Sequence, residues 1–208
     1  MISSVVARLA ACWQNLFHRI SFAEGIAPLL MRLYLAPVMM QAGWTKFQSF
    51  DSTVAWFGNA DWGLGLPFPE LMVMLAAGTE LIGGALLIPG IAVRLVAVPL
   101  MVTMIIAAVT VHWENGWLAI ADASSWLANE RVLESAERLQ RIREILQEHG
   151  HYEWLTGRGS VVVLNNGIEF AATYFIMLLS LFFTGAGRGT SIDSLIAKRV
   201  GATARGVD

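Results

Sequence analysis

Cysteine is nearly absent: Cys12 is the only one in 208 residues. A lone thiol closes no internal disulfide, forms no CxxC redox pair and builds no thiolate metal cluster. Redox chemistry by this chain alone therefore requires a bound cofactor rather than thiol exchange. Charge is scarce too. Only 14% of residues are charged and 56% are hydrophobic, where soluble domains carry about 25% charged residues. The mean hydropathy of +0.58 describes a surface too apolar for water. With a net charge of −2 and no basic cluster, nothing points to a nucleic-acid partner.

What the chain has instead is long apolar runs. About twenty apolar residues cross a bilayer core as a helix, and four stretches meet that requirement: 26–46, 69–88, 92–112 and 161–184. Pro28 sits in the opening turn of the first and Pro37 predicts a kink. Pro67 and Pro69 open the second, and Pro89-Gly90 close it so tightly that the second and third spans form a helical hairpin. The fourth ends at Gly185. The expected fold is all-α: a four-transmembrane-helix bundle. A segment over 1–25, a membrane domain over 26–196 with an insertion at 114–160, and a tail over 197–208 make up the chain.

The opening twenty residues do not read as a signal peptide, because Arg8 interrupts the apolar stretch. Val5, Leu9, Trp13, Leu16 and Ile20 recur at helical spacing, which predicts an amphipathic helix lying in the membrane interface. Lys/Arg asymmetry sets the orientation. Arg8, Arg19, Arg94, Arg188, Lys198, Arg199 and Arg205 fall on the side of both termini, whereas Lys46 and Arg158 lie close to the other face, so both termini are expected in the cytoplasm. Seven tryptophans map to the outer side, which reads either as an interfacial belt or as a vestibule. In the insertion, Trp126 to His149 is expected to be an amphipathic outer helix, with a stripe of Val132, Ala136, Leu139, Ile142 and Leu146. The pairs Glu134–Arg138 and Glu137–Arg141 would support it.

Ionisable side chains inside spans cost about 2.5–3.5 kcal/mol each on insertion scales, and they turn toward the bundle interior. One group is Arg32, Glu80 and Arg94 toward the cytoplasmic half. Glu80 lies on a small-residue face with Ala76, Gly83 and Gly84, which predicts close approach of another helix and Arg32 as its counter-ion. A buried ion pair fixing helix register and a proton or ligand role are both open. The outer-half group is Lys46, His112, Glu114, Asn165, Asn166 and Glu169, with Trp44 and Trp113 beside it as ligand-binding candidates. Asn166, Glu169, Thr173, Ser180 and Thr184 trace a polar stripe down the fourth span, which either lines a cavity or makes interhelical hydrogen bonds. His112 can donate, accept or ligate a metal. With no second histidine in a span, a conventional multi-His site is disfavoured. Met39 and Met40 are soft ligands suited to Cu(I), or packing filler.

The landmarks resemble the DoxX family of small four-span bacterial membrane proteins. They are Arg32 followed by Gly43 and Lys46; Glu80-Leu81-Ile82-Gly83-Gly84; Arg94; and the ending Gly185-Ala186-Gly187-Arg188-Gly189-Thr190-Ser191-Ile192-Asp193. The stretches 55–69 (AWFGNADWGLGLPFP) and 111–117 (VHWENGW) are similar to HvfX-like proteins, which accompany copper-binding modified peptides. That resemblance implies an accessory membrane protein assisting maturation or handling of such a peptide beside its modifying enzymes. Other DoxX relatives are associated with quinone-linked redox complexes, which implies a quinone-reactive subunit as the alternative. Copper or quinone is accordingly the ligand to consider. A homo-oligomer is open, and so is whether the chain is an enzyme.

Overall fold

The computed structural model describes residue 13 and residues 23–205, with side chains through residue 200. The interfacial helix expected over 1–25 lies largely outside the described residues. Among those described there is no strand, and the secondary structure is helical apart from an isolated antiparallel bridge between Ile120 and Leu164. The chain divides into two compact units, Met1–Leu100 with Met177–Asp208, and Met101–Ile176.

The helices are α1 (Ile26–Gln48), α2 (Phe50–Gly58), α3 (Pro69–Leu87), α4 (Val93–Ala107), α5 (Glu130–His149), α6 (Tyr152–Thr156), α7 (Glu169–Thr184) and α8 (Ile192–Arg205). Among the described residues three stretches are long and apolar enough to cross a membrane: Ile26–Gln48, Pro69–Leu87 and Val93–Asn115. The last is α4 continued through a π-helical turn at Ala108–His112 and a 3-10 turn at Trp113–Asn115.

The fourth apolar helix is shorter than the sequence pattern suggests. Helix begins at Glu169, not at 161, and its 16 residues reach about 24 Å, against a hydrocarbon core of about 30 Å. The Asn165-Asn166-Gly167 run explains the late start. Asn166 adopts φ 59, and the backbone N–H groups of residues 165–169 donate to carbonyls of residues 116–119 rather than to a preceding helical turn. The outer helix also starts late, at Glu130 rather than Trp126, because the Asn129 side chain accepts from Val132 N and caps it. Of its predicted ion pairs, Glu134–Arg138 forms at 3.5 Å, whereas Arg141 turns to Glu144 at 3.1 Å.

Burial runs opposite to that of a water-soluble helix. On α3, Leu71, Leu75 and Ile82 are exposed, while Glu80, Gly83 and Gly84 are buried beside Val73, Ala77 and Leu87. An apolar outside with a polar group turned in is what hydrocarbon solvent selects. In the first unit α1 and α3 are closely packed. A Cβ on Gly43 would stand 2.6 Å from Ala77 O, and one on Gly84 would stand 2.9 Å from Ala36 O. Glycine at these two positions lets the backbones approach.

The hairpin turn between α3 and α4 is held by the C-terminal segment. Gly90 (φ 70) and Ala92 (φ 49) are left-handed, a conformation that costs a non-glycine residue about 1 kcal/mol or more. Ile192 N and Asp193 N donate to Pro89 O and Gly90 O. In return, the Asp193 carboxylate accepts from Ala92 N at 2.7 Å and Val93 N at 3.0 Å, capping α4.

Candidate functional site

Within the first unit, the antiparallel register of α1 and α3 decides which charges meet. Gly43 lies against Ala77 and Leu81, and Gly84 against Ala36 and Met40. Glu80 is therefore level with α1 near residue 42, about 6 Å along the axis from Lys46 and about 15 Å from Arg32 at 1.5 Å per residue. Lys46 spans that gap, and its Nζ donates to Glu80 Oε2 at 2.6 Å. Glu80 is therefore not paired with Arg32, as the sequence suggested. The glutamate side chain is 6% exposed and the lysine 26%, so the pair is buried at the acid and partly open at the base. Glu80 lies eleven residues from the start of α3 and seven from its end, inside the apolar span.

Arg32 is fully buried with a different task. Its Nη1 donates to Leu87 O at 3.1 Å and Ile88 O at 3.2 Å, and its Nη2 donates to Thr190 O at 2.8 Å. Its Nε is buried without a hydrogen-bond partner. A guanidinium that satisfies the last carbonyls of α3 and a carbonyl of the C-terminal segment ties three parts of the chain together. Arg94, grouped with these two from sequence, is instead exposed and donates to Phe183 O at 3.2 Å. Trp44 is half-exposed, Met39 is buried, and Met40 packs against Gly84.

The second unit gathers most of the outer candidates at one corner. His112 Nδ1 lies 2.8 Å from Asn166 O. A carbonyl only accepts, so Nδ1 carries the proton and Nε2 of the neutral ring keeps its lone pair. Asn115 Nδ2 donates to the same carbonyl at 3.0 Å. Asn165 is the buried centre of the corner. Its Nδ2 donates to Asn115 O at 2.8 Å and Leu118 O at 2.7 Å, and its Oδ1 accepts from Arg131 Nε at 3.2 Å. Glu169 accepts from Ala119 N at 2.9 Å, so its carboxylate fastens the 116–119 loop to the start of α7. Trp113 and Glu114 are exposed. Two threonines of the polar stripe below Glu169 bond within their own helix: Thr173 Oγ1 donates to Glu169 O and Thr184 Oγ1 to Ser180 O, both at 2.8 Å.

Among the described residues no group of three or more His, Cys, Asp or Glu side chains could hold a metal ion. Single donors such as His112 Nε2 remain. The two residues that sequence reasoning undervalued are Asp193, quoted only as part of a terminal signature, and Asn115, quoted only within the 111–117 stretch. Asp193 follows a glycine-rich run and lies in the first turn of α8, where an acidic residue is a helix-start signal. It caps a different helix.

Residues 27–113 match the DoxX family. The chain is also 37% identical over 97 residues to a Bacillus subtilis (strain 168) protein named "Putative oxidoreductase CatD", covering 47% of this chain and 68% of CatD. The chain belongs to the DoxX family. No solved structure matches it. The DoxX match spans α1 to the 3-10 turn after α4, and so holds Arg32, Lys46, Glu80, Arg94 and His112, whereas α5, Asn166 and Glu169 lie beyond it.

Proposed function

We propose that this DoxX protein is an integral inner-membrane accessory protein that assists maturation or handling of a copper-binding modified peptide. The observation that carries the reading is the 2.8 Å contact of His112 Nδ1 with Asn166 O, which favours the tautomer protonated at Nδ1. Its Nε2 is left available to a soft cation or a donor, on the segment that also exposes Trp113 and Trp117. Residues 55–69 and 111–117 support it through their likeness to HvfX-like proteins. In this reading α7 makes the fourth crossing with local thinning of the bilayer. The 114–160 insertion faces outward, and both termini lie in the cytoplasm with Lys198, Arg199 and Arg205. Partner enzymes supply the bond-making chemistry, and the chain positions the peptide.

A second reading, a quinone-reactive subunit of a membrane redox complex, is favoured by one observation. The Lys46–Glu80 pair puts a partly open ammonium and a buried carboxylate 2.6 Å apart within the spans. That arrangement offers a hydrogen-bond donor and a proton acceptor to a headgroup, and the oxidoreductase in CatD's name points the same way. Electrons would come from a partner.

Purification from native membranes separates the two. The first reading expects co-purified peptide or modifying enzyme that is lost in His112→Ala and retained in Glu80→Gln. Extracted quinone that disappears in Glu80→Gln, with no peptide or modifying enzyme present, establishes the second and removes the first.

A further inference from the structure

A cavity of about 530 Å³ opens where α4 begins and α7 ends, lined by Ala92, Arg94, Leu95, Arg188, Asp193 and Ala197 among others. Its charge is not balanced. Arg94 is steadied by its bond to Phe183 O, which uses one of its five N–H donors. Arg188 meets Glu24 at 3.7 Å, with side chains 91% and 57% exposed, an ion pair that water largely screens. The carboxylate on the wall, Asp193, is occupied on both oxygens by Ala92 N and Val93 N. Two guanidinium groups thus border a space whose other walls combine apolar Leu95 and Ala197 with the residues Thr184, Ser191 and Ser194.

Depth narrows the ligand further. Arg94 is the second residue of α4 and Thr184 the last of α7, so the cavity sits where apolar helix gives way to polar chain. In a membrane protein that level is occupied by lipid headgroups, and basic pockets between helix ends hold anionic ones. Arginine matches phosphate oxygens through its planar fork. We propose that this cavity is a phosphate site, taking the phosphate group of an anionic phospholipid between Arg94 and Arg188 with the acyl-proximal part against Leu95 and Ala197.

The test uses the full chain in nanodiscs of phosphatidylcholine with or without phosphatidylglycerol, read by native mass spectrometry after delipidation. Inorganic phosphate and glycerol phosphate are titrated separately in detergent. Wild type retains phosphatidylglycerol over phosphatidylcholine. Arg188→Gln, a nearly fully exposed position, weakens that retention about fivefold, and R94Q/R188Q weakens it about thirtyfold at low salt. R94K/R188K keeps most of the binding, which shows that loss in the Gln variant is not unfolding. Inorganic phosphate that binds wild type, displaces phosphatidylglycerol and fails on R94Q/R188Q supports the site and makes a soluble phosphate its occupant. Equal retention of both lipids by wild type with no phosphate binding overturns the proposal, as does retention unchanged in R188Q and R94Q/R188Q.

Discussion

Replacing Lys46 by methionine keeps the length of the side chain and removes its charge, leaving Glu80 without its cation. Removing one partner of a buried pair costs about 3–5 kcal/mol. Lys46 is 26% exposed, which screens part of the interaction, so the lower end, about 3 kcal/mol, is expected. Glu80→Gln is milder. Lys46 stands within three residues of the end of α1 and can turn its ammonium toward the headgroups, so the cost is that of a lost hydrogen bond, about 1 kcal/mol. The double variant K46M/E80Q buries no charge and should lie within about 1 kcal/mol of wild type. Unfolding in mixed micelles, followed by tryptophan fluorescence, yields all four free energies. With single costs of about 3 and about 1 kcal/mol and a double variant within about 1 kcal/mol of wild type, the predicted coupling is about 3–5 kcal/mol. A coupling below about 0.5 kcal/mol would show that the two residues do not act as a pair in the folded membrane protein and would refute the register argument.

Arg32→Met removes donors from Leu87 O, Ile88 O and Thr190 O and should lower stability by about 3 kcal/mol or more in the same assay, with Arg32→Lys recovering only part. Asp193→Asn weakens the cap on Ala92 and Val93. It should cost about 1–2 kcal/mol and raise amide exchange at the start of α4 selectively. Asn165→Ala removes one of the donors to Asn115 O and to Leu118 O, which keep Asn129 Nδ2 and Gly167 N, and takes the acceptor from Arg131 Nε; about 2 kcal/mol is expected, read as faster proteolysis between residues 116 and 129 while α1 and α3 stay protected. The Ser124 hydroxyl, followed by its backbone N–H, holds the Asp122 carboxyl below its ordinary value. A lowered folded pKa means the turn is supported at neutral pH and loosens as pH falls through that value. Carboxyl titration by NMR should show Ser124→Ala moving Asp122 upward, and an unmoved titration would contradict the assignment.

The spans were legible where hydrophobic length alone decides. Helices from Ile26, Pro69 and Val93 begin within a residue of the expected positions, because proline and tight turns punctuate the apolar runs. The fourth failed at its start because Val161–Leu164 is as apolar as a span but lies beside the 116–121 loop, with Ala121 N donating to Val163 O, a long-range pairing that no local pattern announces. The inward turn of Arg32 and Glu80 was readable from the cost of charge in lipid. Their partners were not, because partner choice follows the α1–α3 register, set by Gly43 and Gly84 meeting backbone across the interface. Read as a count of turns from each membrane face, Lys46 and Glu80 fall in different halves; read through the register and the reach of lysine, they meet. At the outer corner His112, Asn165, Asn166 and Glu169 were visible as polar residues at span ends, yet their bonds run mostly to loop carbonyls and amides.

If α3 and α4 both cross the bilayer, the turn between them lies on one face and their far ends on the other. Cys12 is the chain's only cysteine, so a Cys12→Ser background accepts single reporters at Asp61, Ile91, Ala123 and Lys198 for labelling with a membrane-impermeant maleimide in oriented vesicles. The account predicts that Asp61 and Ala123 label from one face, and Ile91 and Lys198 only from the other. Labelling of Asp61 and Ile91 from the same face, or of Ala123 and Lys198 from the same face, would contradict it.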